Sequence, residues 1–470
     1  MLKNFNTYYT ENWDLKSSAV LMLILVGFIS LPGIVQILVV ISLVLIVLIL
    51  IFGRDLYLFF TFLSLMTLVG ELSVSIRMIV QINAFLGLTF LFLKSYGFSI
   101  KDFPKIPTKL VHFFLLLYFS LITSTIFSKY FYEGLIFILK GSIFFLLIYL
   151  AFSLIRSKIQ IYFYILAILF SSLASSGGLL LDLINQNFNI LFIAANANLK
   201  TGGLLSNYNA TAAFFAMSIP ILFSVLFSQE LRKLRFLFTT SLIIFILSIL
   251  VTTSRSSMLA VFASSVFILY HTNKKLLRFG ILGLAVIVFL ILIIPSINES
   301  ITILFRLSEG ISQRNYLWDI TLKMISDNPI FGVGPGAWHY EMLQYFPVLL
   351  NSYIGQTFID LYNITKGFNL AHNFYLVFWS DMGVLGLCTS IFLPFTFLKI
   401  SLNVLKSFEK VKDLDYYLVL GLTAAGIGMF FRGFFEGISL ITFIWITVDL
   451  PFWLIFSIIC YYYINFENSK

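Results

Sequence analysis

The sequence is poor in charge and has almost no cysteine. Only 11% of its 470 residues are charged, whereas 60% are hydrophobic. This composition excludes a soluble globular domain, in which about 25% of residues are charged. The two cysteines, Cys388 and Cys460, both lie in apolar runs, where packing is the usual role of a free thiol. Cysteine therefore indicates neither a disulfide nor a compartment.

The sequence also lacks the motifs of several common chemistries. We find no zinc-ligand pattern, no Walker loop and no nucleophile elbow, and we expect no acidic cluster for magnesium. Enzymes that use nucleotide-sugar donors usually need a metal ion to hold the diphosphate, so these absences argue against such donors. No internal repeat, low-complexity tract, coiled coil or separate soluble domain interrupts the chain.

The sequence does contain a series of apolar runs. Most are about 16–22 residues long, the length that crosses the ~30 Å hydrocarbon core of a bilayer as a helix. The first run lacks a small-residue cleavage site and a second follows at once, so we interpret it as a span and not as a signal peptide. The candidate spans are 18–32, 34–52, 56–71, 78–94, 110–127, 134–154, 159–177, 205–228, 236–251, 256–271, 279–295, 372–398, 415–431 and 438–463. The sequence therefore predicts an all-α, polytopic membrane helix bundle of 12–14 spans.

The distribution of lysine and arginine predicts the orientation of this bundle. The net charge is +9, and basic residues cluster in alternate short loops, which the positive-inside rule assigns to the cytoplasm. Those residues are Lys101, Lys105, Lys109, Arg156, Lys158, Arg232, Lys233, Arg235, Lys274, Lys275, Arg278, Lys406, Lys410 and Lys412. Both termini are then cytoplasmic, and one long, partly helical loop, 296–371, lies outside. The positive charge is thus a topology signal and requires no nucleic-acid partner.

Four arginines lie on the predicted outer face, where the positive-inside rule predicts few basic residues. They are Arg255, Arg306, Arg314 and Arg432. Arg255 occupies a very short turn, Thr252–Ser257, between two spans. Its guanidinium would lie at headgroup depth, where the planar fork suits a phosphate or a diphosphate. The alternative is an arginine that snorkels to lipid phosphates.

The outer loop contains a predicted amphipathic helix. We expect Ser312 to cap it and Asn328-Pro329 to end it. Its apolar face recurs at helical spacing and comprises Leu317, Ile320, Thr321, Met324 and Ile325. Arg314 and Trp318 are four residues apart and share a face. We interpret the segment as a helix on the outer membrane surface, anchored by its tryptophan.

A glycine run and two histidines follow this helix. The glycine run, Gly332–Gly336, predicts a tight turn whose backbone lies close to another segment. It follows a helix and not a strand, so it is not a dinucleotide fingerprint. Of the four histidines, only His339 and His372 lie on the predicted outer face. His372 opens a span, where a neutral imidazole can accept a proton; the alternative is a capping or packing histidine.

Two further polar positions lie at outer span ends. Asn209 can hydrogen-bond a sugar, although helix capping is the usual role of such an asparagine. Arg432 and Glu436 are four residues apart at the last outer turn, and this spacing predicts a structural ion pair.

At these motifs the chain resembles the O-antigen ligase and polymerase superfamily of bacterial inner-membrane proteins. The similarity rests on Thr253-Ser-Arg-Ser256, on Arg314-Asn-Tyr-Leu-Trp318 with Asn328-Pro-Ile-Phe-Gly-Val-Gly-Pro-Gly-Ala-Trp338, and on His372-Asn-Phe-Tyr-Leu376 with Gly383-Val-Leu-Gly386. The motifs occur in the family order over about 200–390. We therefore divide the chain into an N-terminal transmembrane scaffold (1–180), a ligase-like core that includes the outer loop (181–440), and a last span with a short cytoplasmic tail (441–470).

The resemblance implies metal-independent transfer of a glycan from an undecaprenyl-diphosphate carrier to an acceptor hydroxyl, with no cofactor. In this scheme Arg255 and Arg314 bind the diphosphate and stabilise the charge of the leaving group. His372 is the general base that deprotonates the acceptor. The implied partners are the carrier-linked glycan, the acceptor and membrane lipid.

Four accessory residues complete the prediction. Asn209 matches a family asparagine with a structural or substrate-positioning role. Topology alone adds Arg306 and Arg432, and His339 is the reserve base.

Several functions remain open at this point. A ligase transfers finished polymer to lipid A-core, whereas a polymerase extends a carrier-linked repeat unit, and both use the same donor. We favour the ligase because an arginine and a histidine follow Arg255 in the usual order. A polysaccharide or lipid transporter or flippase is the alternative from another class, but it would need ionisable residues in mid-span. An inert scaffold for polysaccharide assembly is the third alternative. The expected location is the bacterial inner membrane, with the active face periplasmic.

Overall fold

The computed structural model describes residues 53–67, 74–185, 202–205, 207–295, 298–299, 302, 314–349, 371–442 and 445–468. This part of the chain contains fourteen α-helices and no strand. The predicted spans 18–32 and 34–52 lie outside the described residues, as does Arg306.

The helices are, in chain order, α1 (Arg54–Thr67), α2 (Val74–Tyr96), α3 (Thr108–Phe127), α4 (Phe131–Ser153), α5 (Lys158–Asn185), α6 (Tyr208–Val225), α7 (Arg235–Val251), α8 (Arg255–Thr272), α9 (Lys274–Ile293), α10 (Arg314–Asp327), α11 (Trp338–Glu341), α12 (Phe374–Phe408), α13 (Leu414–Arg432) and α14 (Ile446–Asn468). Within the described part, nine helices are long and apolar enough to cross a membrane, α2 to α7 and α12 to α14. Each predicted span from 56–71 onward overlaps one helix. The prediction of an all-α, polytopic bundle is confirmed.

Two helix ends differ from their predicted positions for identifiable reasons. α12 runs on to Phe408, beyond the predicted end at 398. Lys399 interrupts the apolar run there, but its side chain is exposed, so the helix continues past it. α14 begins at Ile446 and not at 438, because the preceding turn is held by Asp449, whose carboxylate accepts the backbone N–H groups of Ser439 (3.1 Å) and Thr442 (2.6 Å).

The centre of the bundle is formed by α6, α13 and α14, which are the most buried of the nine spans. α13 packs most extensively against α6 and α8. These contacts are close: a Cβ at Gly421 would lie 2.9 Å from Cα of Ile221, and one at Gly428 would lie 2.7 Å from O of Ala260. Small residues that let backbones approach are typical of helix contacts in membranes, where the hydrophobic effect contributes little.

Alternating helix directions give the bundle two distinct ends. The ends of α3 and α13 and the starts of α6, α8 and α12 lie together, and we call this the site end. The basic loops lie at the opposite end. There Lys158 pairs with Asp415 (2.5 Å), which also accepts the hydroxyl of Tyr462 (2.9 Å). The expectation that the chain contains no acidic Asp-x-Asp sequence is wrong, because Asp413-Leu414-Asp415 is one; the sequence is structural, since Asp413 caps α13.

At the site end the glycine run docks into a kink of α12. The kink is at Gly383, whose φ of 62° and ψ of −154° are not helical. Backbone N–H groups of Val333 and Gly334 donate to the carbonyls of Ser380 and Asp381, each at 2.9 Å. The loop thus supplies partners for carbonyls that the kink leaves unpaired inside the bundle. The predicted close approach of this turn to another segment is confirmed.

Gly383→Ala is expected to destabilise the protein. Its Cβ would lie 2.0 Å from O of Ile330, and φ of 62° disfavours any side chain. Overpacking costs about 1–3 kcal/mol, and the left-handed backbone adds about 1–2 kcal/mol. We expect a lower thermal midpoint in detergent than for the wild type. Gly280→Ala on α9 is the matched control, because a Cβ there meets nothing within 4 Å and alanine favours the helix. Equal midpoints for the two variants would contradict the docked arrangement.

The predicted amphipathic helix exists as α10, and its buried residues are the five predicted ones. Its apolar face, however, packs against other residues of the same loop, including Val333, Trp338 and Ala371. The indole N–H of Trp338 donates to Thr321 Oγ1 of this face (2.9 Å), and that of Trp318 donates to O of Ala371 (3.0 Å). The interpretation of α10 as a helix lying on the membrane is therefore wrong, because the loop contains its own apolar cluster that covers the face.

Candidate active site

Three residues distant in sequence meet at the site end around one buried carboxylate. Glu436 lies in the turn after α13, and its side chain has no exposed surface. Its Oε1 lies 2.7 Å from Nδ1 of His372, and its Oε2 lies 3.4 Å from an Nη of Arg314. The predicted pair of Glu436 with Arg432 is wrong: the backbone turns after Arg432, so the carboxylate faces α10 and the start of α12 instead.

The surrounding charges keep this carboxylate ionised. Burial alone would raise the pKa of Glu436, but His372, Arg432 and Arg314 oppose burial and lower that pKa to about 2. An ionised Oε1 requires a proton on Nδ1 of His372, because a carboxylate can only accept. The second ring nitrogen, Nε2, is then the one that can take a proton from a substrate, as in a carboxylate–histidine pair of a hydrolase.

The lowered pKa of Glu436 predicts how the stability of the folded protein depends on pH. In the unfolded chain Glu436 would titrate near its ordinary pKa of about 4.3, whereas the folded value is about 2. The ionised carboxylate of Glu436 therefore stabilises the fold fully above a pH of about 4.3, and this stabilisation is lost as the pH falls toward 2. We expect the thermal midpoint in detergent to fall over this range in the wild type and to fall less in Glu436→Gln. The same acid dependence in both proteins would contradict the assignment.

His372 is held in an uncommon backbone conformation. Its φ is 49°, in the left-handed region that few residues other than glycine adopt. The next residue, Asn373, caps α12 by accepting the N–H groups of Tyr375 and Leu376, both at 3.0 Å. The cap is in turn fixed to the turn after α13, because the Asn373 amide donates to O of Phe434 (2.9 Å). Strained residues that their surroundings hold in place cluster at functional sites. His372 itself is not the cap, so the alternative of a capping histidine is wrong.

Arg432 is entirely buried and joins three segments of the site end. Its Nε donates to Ser257 at the start of α8 (2.9 Å), one Nη donates to O of Ile438 (2.9 Å), and the other donates to O of Asn209 on α6 (2.7 Å). All three nitrogens of the guanidinium thus donate hydrogen bonds to the protein. Arg432 therefore holds the site end together, and its positive charge supports the ionised Glu436; its side chain has no exposed surface.

The turn that carries Arg255 belongs to the same network. Arg255 is the first residue of α8, and it follows Thr253, whose φ of 52° is again left-handed. Ser254 donates its hydroxyl to Oδ1 of Asn209 (3.0 Å). Asn207, not Asn209, caps α6 by accepting the N–H of Ala210. The side chain of Asn209 thus fixes the Arg255 turn, which fits the structural one of the two roles, structural or substrate-positioning, that the resemblance implies.

A cavity of about 440 Å³ opens beside these groups. Among the predicted residues, Asn209, His339 and His372 line it, together with Glu436. Other parts of the wall are apolar or aromatic and include Phe137, Phe378, Met382, Trp338, Ile441 and Trp445. An apolar cavity with a few convergent polar groups is the usual form of a ligand site. Arg255, Arg314 and Arg432 are not among the residues that line it.

His339 lies on the glycine-run side of the cavity and His372 at the start of α12. Burial lowers the pKa of His339, opposed by its contact with the backbone of Gly336. The lowered pKa favours the neutral imidazole. Its ring packs against Tyr340 at 3.7 Å between centroids. In contrast to His372, His339 has no carboxylate hydrogen-bonded to its ring in the described structure, so it lacks a group that would orient it as a base.

Several contacts that hold the site end together, and one residue of the cavity wall, were missed at the sequence level. Ser128 after α3 donates to O of Val333 (2.6 Å), Lys129 pairs with Glu341, and Phe137 of α4 lines the cavity. The region 1–180 thus contributes directly to the site end, although no motif marked it. In the part of the chain that the structure describes, no group of three or more histidine, cysteine, aspartate or glutamate side chains is placed to hold a metal ion.

The geometry can be compared with known proteins. Residues 240–390 match the family model of O-antigen ligase. The resemblance to the O-antigen ligase and polymerase superfamily is confirmed. The matched segment, which we call the ligase domain, runs from the middle of α7 to the first half of α12 and contains Arg255, Arg314, His339 and His372. No curated protein matches the chain.

The ligase domain does not contain the whole site. Asn209, Arg432 and Glu436 all lie outside 240–390, yet each makes a hydrogen bond to a residue within it: Asn209 to Ser254, Arg432 to Ser257, and Glu436 to His372. The candidate site is therefore built from the ligase domain together with α6 and the turn between α13 and α14.

Proposed function

We propose that the protein transfers a glycan from an undecaprenyl-diphosphate carrier to an acceptor hydroxyl, without a metal ion, on the periplasmic face of the bacterial inner membrane. The match of residues 240–390 to the family model of O-antigen ligase supports glycan transfer of the ligase or polymerase type. Within that class we favour the ligase, with lipid A-core as the acceptor; the alternative is a polymerase for O-antigen or another surface polysaccharide.

One observation carries the proposal: the contact of His372 Nδ1 with the ionised Glu436 at the edge of the cavity (2.7 Å). This contact fixes the imidazole tautomer and directs Nε2 away from the carboxylate. The pair thus forms a base and the group that orients it, which is the recurring unit of acid–base catalysis. An inert scaffold would have no use for a base held in this way, and a proton-coupled transporter would need the pair in mid-span, whereas His372 precedes α12 and Glu436 follows α13.

The proposed reaction is a single displacement. Nε2 of His372 takes the proton of the acceptor hydroxyl, and the oxygen attacks the anomeric carbon of the carrier-linked sugar. The bond between that carbon and the diphosphate oxygen breaks, and the carrier leaves as its diphosphate. Arg255 and Arg314 compensate the charge that develops on the leaving oxygen. The proton on His372 passes to solvent after the product leaves.

Arg314 is suited to this role by its partial exposure. Its side chain is 18% exposed, and in the described structure its ion pair with Glu436 uses one terminal nitrogen at 3.4 Å. A guanidinium can bind a second anion through its remaining N–H groups. Arg314 would therefore link the base and the leaving group through one planar cation.

The test is complementation in two hosts, one lacking its O-antigen ligase and one lacking its polymerase. If the protein restores a ladder of polymer on lipid A-core in the first host, the ligase assignment is supported. If it instead extends a single repeat to a ladder in the second host, the protein is a polymerase. If it restores neither, while purified protein moves a carrier-linked glycan across vesicles, a transporter is favoured and the proposed chemistry is wrong.

Arg314→Lys is expected to weaken diphosphate binding about tenfold or more. Lysine keeps the charge but cannot form two parallel hydrogen bonds. The measurement is the dissociation constant for undecaprenyl diphosphate in detergent or nanodiscs. Arg232→Lys, the same substitution in an exposed loop at the opposite end of the bundle, is the control and should bind like the wild type. Unchanged binding by Arg314→Lys would remove Arg314 from the proposed site.

A further inference from the structure

The second carboxylate of the cavity, Asp381, has an oxygen that the protein does not use. Its Oδ2 accepts the N–H of Gly336 (2.9 Å). Its Oδ1 is buried and has no hydrogen-bond partner in the described structure, although the backbone amide of Trp338 also faces this carboxylate. Asp381 is only 4% exposed. Whether ionised or protonated, this oxygen needs a partner, because a buried polar atom without one costs free energy.

This oxygen differs from the other unpartnered atoms of the described structure. Those atoms are hydroxyls of serine and threonine and one arginine nitrogen, whereas Asp381 contributes a carboxylate oxygen. Asp381 also lines the cavity that contains His372 and Glu436. Glu436 already uses both of its oxygens on His372 and Arg314. Asp381 is therefore the carboxylate of the cavity wall that has an oxygen, Oδ1, without a hydrogen-bond partner in the described structure.

Asp381 lies deeper in the bundle than His372. It is the eighth residue of α12, so the rise of 1.5 Å per residue places it about 10 Å below the start of that helix. Val377 and Phe378 lie between the two on the same helix and also line the cavity. The cavity thus has a base at one level and a carboxylate about two turns deeper, with apolar and aromatic wall between them. This arrangement suits a ligand with an apolar body and hydroxyl groups spaced along it.

We propose that Asp381 is a sugar-binding residue, whose Oδ1 accepts a hydrogen bond from a hydroxyl or amide N–H of a glycan in the cavity. This inference rests on the proposed glycan transfer and assigns the deep end of the cavity to a sugar ring. The ring would lie between Asp381 and the walls formed by Trp338 and Phe378, since aromatic faces pack against the apolar side of a sugar. The sugar belongs either to the carrier-linked donor or to the acceptor, and both have the same hydroxyl chemistry.

The other atoms of Asp381 have a structural role that the experiment must separate. Its carbonyl accepts from Gly334 (2.9 Å) and from the hydroxyl of Ser124 (2.8 Å), and Oδ2 holds Gly336. Asp381→Asn preserves these contacts, because the amide oxygen can still accept from Gly336. It replaces the unpartnered acceptor with a neutral NH₂ group. Ser128→Ala is the matched control, since it removes a hydrogen bond that holds the glycine run at O of Val333, and Ser128 itself does not line the cavity.

The experiment compares wild type, Asp381→Asn and Ser128→Ala in two binding assays and one kinetic assay. The probes are undecaprenyl diphosphate, which has no sugar, and the undecaprenyl-diphosphate-linked glycan of the native host. The kinetic readout is the KM for the acceptor at saturating donor. We expect Asp381→Asn to bind undecaprenyl diphosphate like the wild type. We also expect it to lose about tenfold or more in one of the two sugar-dependent quantities, because a hydroxyl or amide of the sugar then loses its buried acceptor.

The pattern of losses decides whether Asp381 binds a sugar and whether that sugar belongs to the donor or to the acceptor. A loss confined to the carrier-linked glycan supports Asp381 and assigns the donor sugar, whereas a loss confined to the acceptor KM supports it and assigns the acceptor sugar. No change in either quantity, or the same losses in Ser128→Ala, overturns the inference and leaves Asp381 with its structural role. If the wild type binds neither probe, the proposed function fails and this inference fails with it.

Discussion

His372→Ala is expected to reduce glycan transfer by about 10²–10⁴-fold, the usual contribution of a positioned general base. The acceptor hydroxyl would then have no group to take its proton, since Nε2 of His372 is the nitrogen that the contact with Glu436 leaves available. Binding of the carrier should survive, because the diphosphate is assigned to Arg255 and Arg314. The measurement is the single-turnover rate with purified protein, together with the dissociation constant for undecaprenyl diphosphate.

A second variant separates chemistry from folding. His372 has a φ of 49°, which asparagine adopts more readily than alanine. His372→Asn should therefore keep the local backbone and the thermal midpoint while remaining as inactive as His372→Ala. If His372→Asn transfers glycan at the wild-type rate, His372 is not the base, and the reserve residue His339 becomes the next candidate for the same test.

Glu436→Gln is expected to lower both activity and stability. Removal of the charge weakens the hydrogen bond from His372, which corresponds to a loss of about 1.5–3 kcal/mol for a charged partner, or roughly 10- to 100-fold in rate. It also removes the negative charge that offsets the fully buried Arg432 without contacting it, and a buried charge that loses its compensation destabilises the folded protein. The single-turnover rate and the thermal midpoint in detergent should therefore fall together.

The control for Glu436→Gln is the same substitution at another buried glutamate. Glu341 on α11 is 4% exposed and pairs with Lys129, away from His372. Glu341→Gln should lower the thermal midpoint but leave the transfer rate close to that of the wild type. An equal drop in rate for both variants would mean that Glu436 acts only through stability and does not support the base.

The helices and the separate motifs of this protein could be predicted from sequence because they are local properties. Apolar runs of membrane length predicted the spans, and the spacing of Leu317, Ile320 and Met324 predicted the buried face of α10. The tight turn of the glycine run followed from the tolerance of glycine for positive φ, which Gly332, Gly334 and Gly336 adopt. Each of these inferences uses only residues that are neighbours in the chain.

The partners of those motifs could not be predicted, because they depend on contacts across the chain. Glu436 lies 64 residues from His372 and 122 from Arg314. Sequence spacing favoured Arg432 as its partner, and the turn after α13 overrides that spacing. The apolar face of α10 was misassigned to the membrane for the same reason, since the cluster that covers it comes from Trp338 and Ala371.

The position of Glu436 has a consequence for how the protein is made. His372 and Arg314 leave the ribosome before Glu436, and the 64 residues after His372 take about 3–13 s at 5–20 residues per second. During that interval the histidine and the arginine exist without the carboxylate that holds them together. Insertion of α13 and the turn after it therefore completes the oriented base, and a chain interrupted before that step would have the ligase-domain motifs but no oriented base.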